Sequence, residues 1–215
     1  TPKPSSAASD VYKRQITVGN PCNTNALIAC ANAPSISSRQ FTAMTRLDQN
    51  RAVGQIAEHA GVPASAIRDV FIWGNHANTM YPDPRFGTVD GVPITNLLDT
   101  KWLQGQFIET VSTRGKAIIV ARGASSAASA ASAAIDHMRD WWQGSNGRIV
   151  SMAIPSEGWY GVPEGIVFSF PCRCENGSIV VVEDLVLDEF AQSKIDENIA
   201  ALLEERDAVS DLLGN

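Results

Sequence analysis

The 215 residues carry 44% hydrophobic and 19% charged side chains, an ordinary balance for a globular protein and enough to bury one sizeable core. The net charge of −6 excludes a phosphate-backbone binder, because counterion release needs clustered Lys and Arg. No apolar run approaches the roughly 20 residues of a membrane-spanning helix, and four scattered cysteines exclude a disulfide framework, so thiols in a reducing, cytoplasmic compartment are expected.

Thr1–Gln15 is polar, rich in Pro and Ser and without periodicity, so it reads as disordered or as a foreign leader. Order is expected from a strand at Ile16–Val18, which ends at Gly19-Asn20-Pro21. Asn25–Ala33 reads as a short helix stopped by Pro34, and Phe41–Thr45 as a strand. Leu47, Val53, Ile56 and Ala60 mark one face of a helix over Leu47–His59, with Gly61 in place for a left-handed cap.

Val70–Trp73 is expected to be a buried strand followed by a polar loop holding His76, and Thr88–Pro93 a strand around Asp90-Gly91. Asn96–Ala121 reads as interrupted helix. Gly123–Ala134 is nearly low complexity, yet Ile135, Met138 and Trp142 continue its helical spacing, and its small residues permit close packing. Ile149–Ile154 and Ile166–Cys174 are strands, Asn176-Gly177 is a two-residue hairpin signal, and Ser178–Val182 is the return strand. Asp188 is placed to cap a last helix running to about Leu213. These elements add up to a mixed sheet with long helices.

Three polar motifs interrupt this apolar framework: VGNPCNTN (18–25), TRLDQNR (45–51) and WGNHANTMYPD (73–83). His76 sits on a loop after a buried strand, where function often resides, although a lone His can simply bond its own loop. Asp48 and Arg51 share a helix face, so both can point into one pocket, or they can form a surface ion pair. A carboxylate behind an imidazole fixes its tautomer and raises its proton affinity, and a guanidinium grips a carboxylate in a fork. The sequence does not show that this pair meets His76.

Competing chemistries fit less well. Ser125 or Ser126 as a hydrolase nucleophile lacks a G-x-S-x-G elbow. Cys172 and Cys174 form a C-x-C, but Cys22 and Cys30 offer no matching pair, so no metal site is expected. His59 near a helix end reads as a surface residue and His137 as structural.

The three motifs, in this order and spacing, resemble malate dehydrogenases of the cytosolic type, in the lactate/malate dehydrogenase family. The resemblance runs from about Ile16 to Leu213 and takes in Tyr160-Gly-Val-Pro-Glu-Gly165. Lactate dehydrogenases are less similar, since their histidine loop usually reads G-E-H-G-D-S. The resemblance implies an α/β remnant of a Rossmann nucleotide-binding domain over 16–43, followed by an α+β substrate-binding catalytic domain over 44–215.

It further implies NAD-dependent interconversion of (S)-malate and oxaloacetate by a cytoplasmic homodimer. His76 becomes the acid–base residue, Asp48 its partner and Arg51 the holder of a substrate carboxylate. Asn20 lies between nicotinamide and the substrate oxygen, Val18 and Gly19 line the cofactor, and Ser125 borders the substrate pocket.

The departure from the family is large. No G-x-G-x-x-G occurs in these 215 residues. In the family that motif, and the mobile loop whose two arginines bind substrate, precede the Asn20 motif. The chain is therefore expected to be the C-terminal part of such an enzyme behind an unrelated leader, inactive alone, or else a catalytically silent dimerisation or interaction fragment. The chloroplast NADP-linked relatives carry a cysteine-bearing extension, whereas this sequence stops at Gly214-Asn215, which favours NAD.

Overall fold

The structure is a computed structural model and describes residues 13–214, so the greater part of the expected leader lies outside the described residues. In chain order the elements are β1 (Gln15–Thr17), α1 (Cys22–Ala31), β2 (Phe41–Ala43), α2 (Arg46–Ala60), β3 (Ile67–Arg68), β4 (Phe71–Trp73) and β5 (Tyr81–Asp83). Then follow β6 (Thr88–Val89), β7 (Val92–Pro93), α3 (Ile94–Leu97), α4 (Thr100–Gln104), α5 (Gln106–Arg122) and α6 (Ala128–Gln143). The chain closes with β8 (Val150–Pro155), β9 (Val167–Glu175), β10 (Ser178–Val181) and α7 (Glu189–Ala208).

The principal sheet is mixed and five-stranded, in the order β1-β2-β8-β9-β10. β1 and β2 run parallel, as in an α/β unit with α1 as the crossover, and the remaining pairs are antiparallel. Ala43 pairs with Ala153, so β2 joins the parallel part of the sheet to the antiparallel part. Two small sheets, β3-β6-β7 and β4-β5, complete the framework.

The main core lies between β8, β9, α6 and α7 and holds Phe168, Phe170, Met152, Trp141, Ile195 and Leu202. β9 is buried over Val167–Cys172, on both faces, which is why its sequence reads as a continuous apolar run rather than an alternation. Cys172 and Cys174 belong to this core, and burial pushes both thiols up, the second to about 12. A second core joins α2, α4 and α5 through Ile56, Leu103, Phe107 and Val111.

Asn176-Gly177 makes the expected tight turn, whereas Asp90-Gly91, expected within a single strand, makes a second one that splits Thr88–Pro93 into β6 and β7. Asp90-Gly91 and Asn176-Gly177 take positive φ at both central residues (48° and 83°; 50° and 79°), the twist that suits a two-residue hairpin. Gly61, at φ 68° and ψ 32°, ends α2 in the left-handed region. Asp188 caps α7 by accepting the Ala191 N–H at 2.8 Å.

The short strands β3 and β5 were not expected, and α1 and α6 also differ from expectation. α1 starts at Cys22, three residues early, because the side chains of Asn23 and Thr24 bond to distant segments and leave their backbone free for the helix. In α6 the buried face is Ala133, His137, Asp140 and Trp141, whereas Ile135 and Trp142 point outward at 58% and 62% exposure. Polar bonds hold that face inward. Asp140 accepts from Arg46 and Arg148, each at 2.6 Å, and the Trp141 indole donates to the Gly177 carbonyl.

His137 is structural, as expected. Thr42 Oγ1 donates to the Gln15 carbonyl and so accepts from His137 Nε2 at 3.0 Å, leaving a neutral ring whose Nδ1 has no partner among the described residues. Burial, with Arg46 nearby, pushes this imidazole down to about 3. The unfolded ring takes a proton as pH falls through about 6.5. The stability tied to the neutral ring is thus present above the unfolded value and lost on acidification. The loss from near pH 7 to near pH 5 is about 2 kcal/mol from this residue. In urea unfolding, His137→Gln should shrink the difference between the two pH values by that amount; an unchanged difference would show that the ring is protonated in the fold.

Candidate active site

Asp48 lies in the first turn of α2, fully buried, where the helix dipole favours a negative charge. Both its oxygens are engaged. Oδ1 accepts from Arg51 Nη1 at 3.1 Å, one helical turn on, and Oδ2 bonds His76 Nδ1 in a short contact. A buried carboxylate is tolerable only when paired in this way. The structure thus brings together the three residues singled out in the second and third motifs.

Several ties set the approach of α2 to the His76 loop. Thr45, preceding α2, bonds Ser169 on β9 at 2.7 Å, and Ser169 donates to the Ile72 carbonyl at 2.8 Å. Ser169 also exchanges both backbone hydrogen bonds with Gly74. Gln49 ties α2 to the residue before β4 and to β8, donating to the Val70 carbonyl and accepting from Ser151 N–H. Beyond the loop, the Trp73 indole donates to buried Asp83, which Arg85 grips through Nε and Nη2.

Burial acts to lower the His76 imidazole, but the hydrogen bond and charge of Asp48 outweigh it, and the net result is a raised pKa despite the opposing charge of Arg51. With Nδ1 committed to Asp48, Nε2 is the atom left to exchange a proton. His76 and Arg51 side chains are each 13% exposed, so both reach the edge of solvent. Beyond Nη1, the Arg51 guanidinium makes no hydrogen bond among the described residues and keeps donors for a ligand.

The first motif reaches the cluster through a residue that sequence reasoning passed over. Asn23, buried in α1, accepts the His76 backbone N–H at 3.1 Å and donates to the carbonyls of Gly74 and Val167. Val18, Gly19 and Asn20 lie just before it, exposed at the end of β1, with Asn25 donating to the Gly19 carbonyl. A Cβ added at Gly19 would meet nothing within 4 Å, so this strand end is open. Ser125 sits exposed in the turn between α5 and α6, where its carbonyl accepts from Arg122, and it makes no bond to the cluster. His59 stacks on Trp102 at the surface.

Asn198 and Glu205 of α7 were also missed. Asn198 occupies the apolar stripe between Ile195 and Leu202, and a polar residue at such a position is the one signal that could have found it. A separate cleft of about 760 Å3, lined by Arg39, Glu157, Trp141 and Trp159, touches none of the residues in the three-residue cluster.

The chain is similar to known dehydrogenases. The lactate/malate dehydrogenase alpha/beta C-terminal domain family matches residues 45–212. Malate dehydrogenase from Naegleria fowleri is 47% identical and superposes with a TM-score of 0.86, over 92% of this chain and 61% of that one. Lactate dehydrogenase from Trichomonas vaginalis, in complex with NADH and oxamate, is 34% identical with a TM-score of 0.89, over 93% of this chain and 63% of that one. Malate dehydrogenase from Aeropyrum pernix, at 22% identity and a TM-score of 0.80, shares the fold. The chain therefore spans less than two thirds of these relatives, and over that span it belongs to the lactate/malate dehydrogenase family.

Proposed function

We propose that this chain carries the acid–base and carboxylate-binding part of an NAD-dependent malate dehydrogenase that interconverts (S)-malate and oxaloacetate. The observation that carries the reading is the buried relay Arg51–Asp48–His76. NAD fits one part of the chain. The open strand end at Val18, Gly19 and Asn20 suits the nicotinamide end, whereas no G-x-G-x-x-G is present to receive the pyrophosphate. When bound, the cofactor supplies the hydride acceptor or donor.

The remaining work falls to the chain itself. His76 Nε2 takes the hydroxyl proton of malate, or returns it to the oxygen of oxaloacetate, while Asp48 stabilises the imidazolium. Arg51, held against Asp48, presents its unused N–H groups to the substrate carboxylate. Asn20 offers an amide between the nicotinamide and the substrate oxygen, and Ser125 borders the pocket. The domains follow the same reading: 16–43 completes a nucleotide-binding domain and 44–215 binds substrate.

Malate rather than lactate is supported by the 47% identity to a malate dehydrogenase and by the GNHANT histidine loop. The outward Ile135 and Trp142 on α6, with half-buried Met138 between them, support a homodimer, and resemblance to the cytosolic type supports a cytoplasmic location. Among the described residues, no helix is long and apolar enough to cross a membrane. Without a glycine-rich turn, the 215 residues alone are expected to turn over little, and a silent dimerisation module is the second reading.

The test is NADH oxidation by the dehydrogenase that contains this chain, with oxaloacetate and pyruvate compared. A preference for oxaloacetate of about 100-fold or more in kcat/KM is expected. Faster turnover of pyruvate would overturn the substrate assignment, and no turnover of either would favour the silent module.

A further inference from the structure

Two buried amides flank the peptide that carries His76. Consecutive N–H groups of this segment are accepted from different helices: Asn75 N–H by Asn198 Oδ1 of α7 at 2.9 Å, and His76 N–H by Asn23 Oδ1 of α1 at 3.1 Å. Each amide is saturated at its other end. Asn23 donates to the carbonyls of Gly74 and Val167, and Asn198 to those of Thr79 and Lys194. Both side chains are fully buried.

The approach of Asn198 dictates glycine at 74. A Cβ there would lie 2.1 Å from Asn198 Oδ1, and the backbone holds φ at +89°. The Asn75 side chain closes a circuit by donating to Glu205 Oε1 of α7 at 2.7 Å, while Glu205 Oε2 accepts from the Thr24 hydroxyl of α1.

We propose that Asn198 and Asn23 are positioning residues that clamp Gly74–His76 between α7 and α1 and so hold the His76 ring on Asp48. The proposal rests on the reading of His76 as the acid–base group, and it gives the last helix a direct hold on the site. The physical reason for amides is their two-sidedness. Each must accept from a peptide N–H and donate to two carbonyls, which a carboxylate without a proton and a hydroxyl with only one cannot do. An aspartate at 198 would set its charge against the Thr79 and Lys194 carbonyls.

The clamp is tested on the isotope-labelled chain by NMR, following the His76 ring and the Asn75 and His76 amides. The charged groups that face the ring are Asp48 and Arg51 from α2, with Glu205 one residue removed through Asn75. Asn198→Ala is expected to lower the His76 titration midpoint by about one pH unit as its bond to Asp48 loosens. Exchange of the two amides should quicken about 10-fold or more.

Asn23→Ala should act in the same direction. Should Asn198→Ala fail to fold, Glu205→Ala on the half-buried side of the circuit is read instead, with a smaller downward shift expected. An unfolding midpoint that falls while the His76 titration stays put would show a merely structural role and overturn the proposal. Because the readout is the ring rather than turnover, it also stands apart from the dehydrogenase reading. Retained activity in a His76 variant would sink that reading and leave the clamp measurement intact.

Discussion

Replacing His76 with asparagine is expected to lower kcat of the parent dehydrogenase by about 100- to 10,000-fold, the range general acid–base catalysis supplies. NADH affinity should be unchanged, since the ring bonds Asp48 on one side and, on the proposed reading, serves the substrate on the other. Stopped-flow reduction of oxaloacetate, with fluorescence titration of NADH, reads both quantities. A kcat within about 3-fold of the parent would show that proton transfer has another route.

The pH profile of the parent follows from the same contacts. Burial would lower the His76 pKa, but Asp48 raises it on balance. On the proposed reading, oxaloacetate reduction needs the protonated ring and should fall as pH rises through that raised value. Malate oxidation needs the neutral ring and should rise over the same interval. The two directions share one midpoint, above about 6.5.

The largest stability effect is expected at Asp140. Its carboxylate, 4% exposed, joins Arg46 of α2 and Arg148 ahead of β8, each at 2.6 Å. Asp140→Ala strands the buried Arg46 guanidinium two residues before Asp48 and should cost about 3–5 kcal/mol in urea unfolding. That is a large share of the about 5–15 kcal/mol of a typical domain. A double variant, Arg46→Met with Asp140→Leu, should recover most of the loss, because the charge and its partner leave together. A loss below about 1 kcal/mol for Asp140→Ala would mean that water reaches Arg46.

Much of the fold was legible because its signals are local. Gly61, Asn176-Gly177 and Asp188 act through φ preference or capping within a few residues, so each element end sits close to its expected place. Ile166–Cys174 was legible as a strand, and its burial on both faces came from the structure. The start of α1 was misplaced because Asn23 and Thr24, poor helix formers by propensity, are paid for by distant partners. Propensity carries no information about a bond made 144 residues away.

The site divides in the same way. The sequence by itself determined which side chains are available: an imidazole on a loop after a buried strand, and a carboxylate and guanidinium one helical turn apart. It also determined the family, because three specific motifs in order are a local record. Only the tertiary structure decided that Asp48 meets His76 across 28 positions, and that Ser169, Asn23 and Asn198 enforce the meeting. The reason is physical. Spacing along one helix fixes what shares its face, whereas contact between α2, β9 and α7 depends on how the sheet and its cores pack.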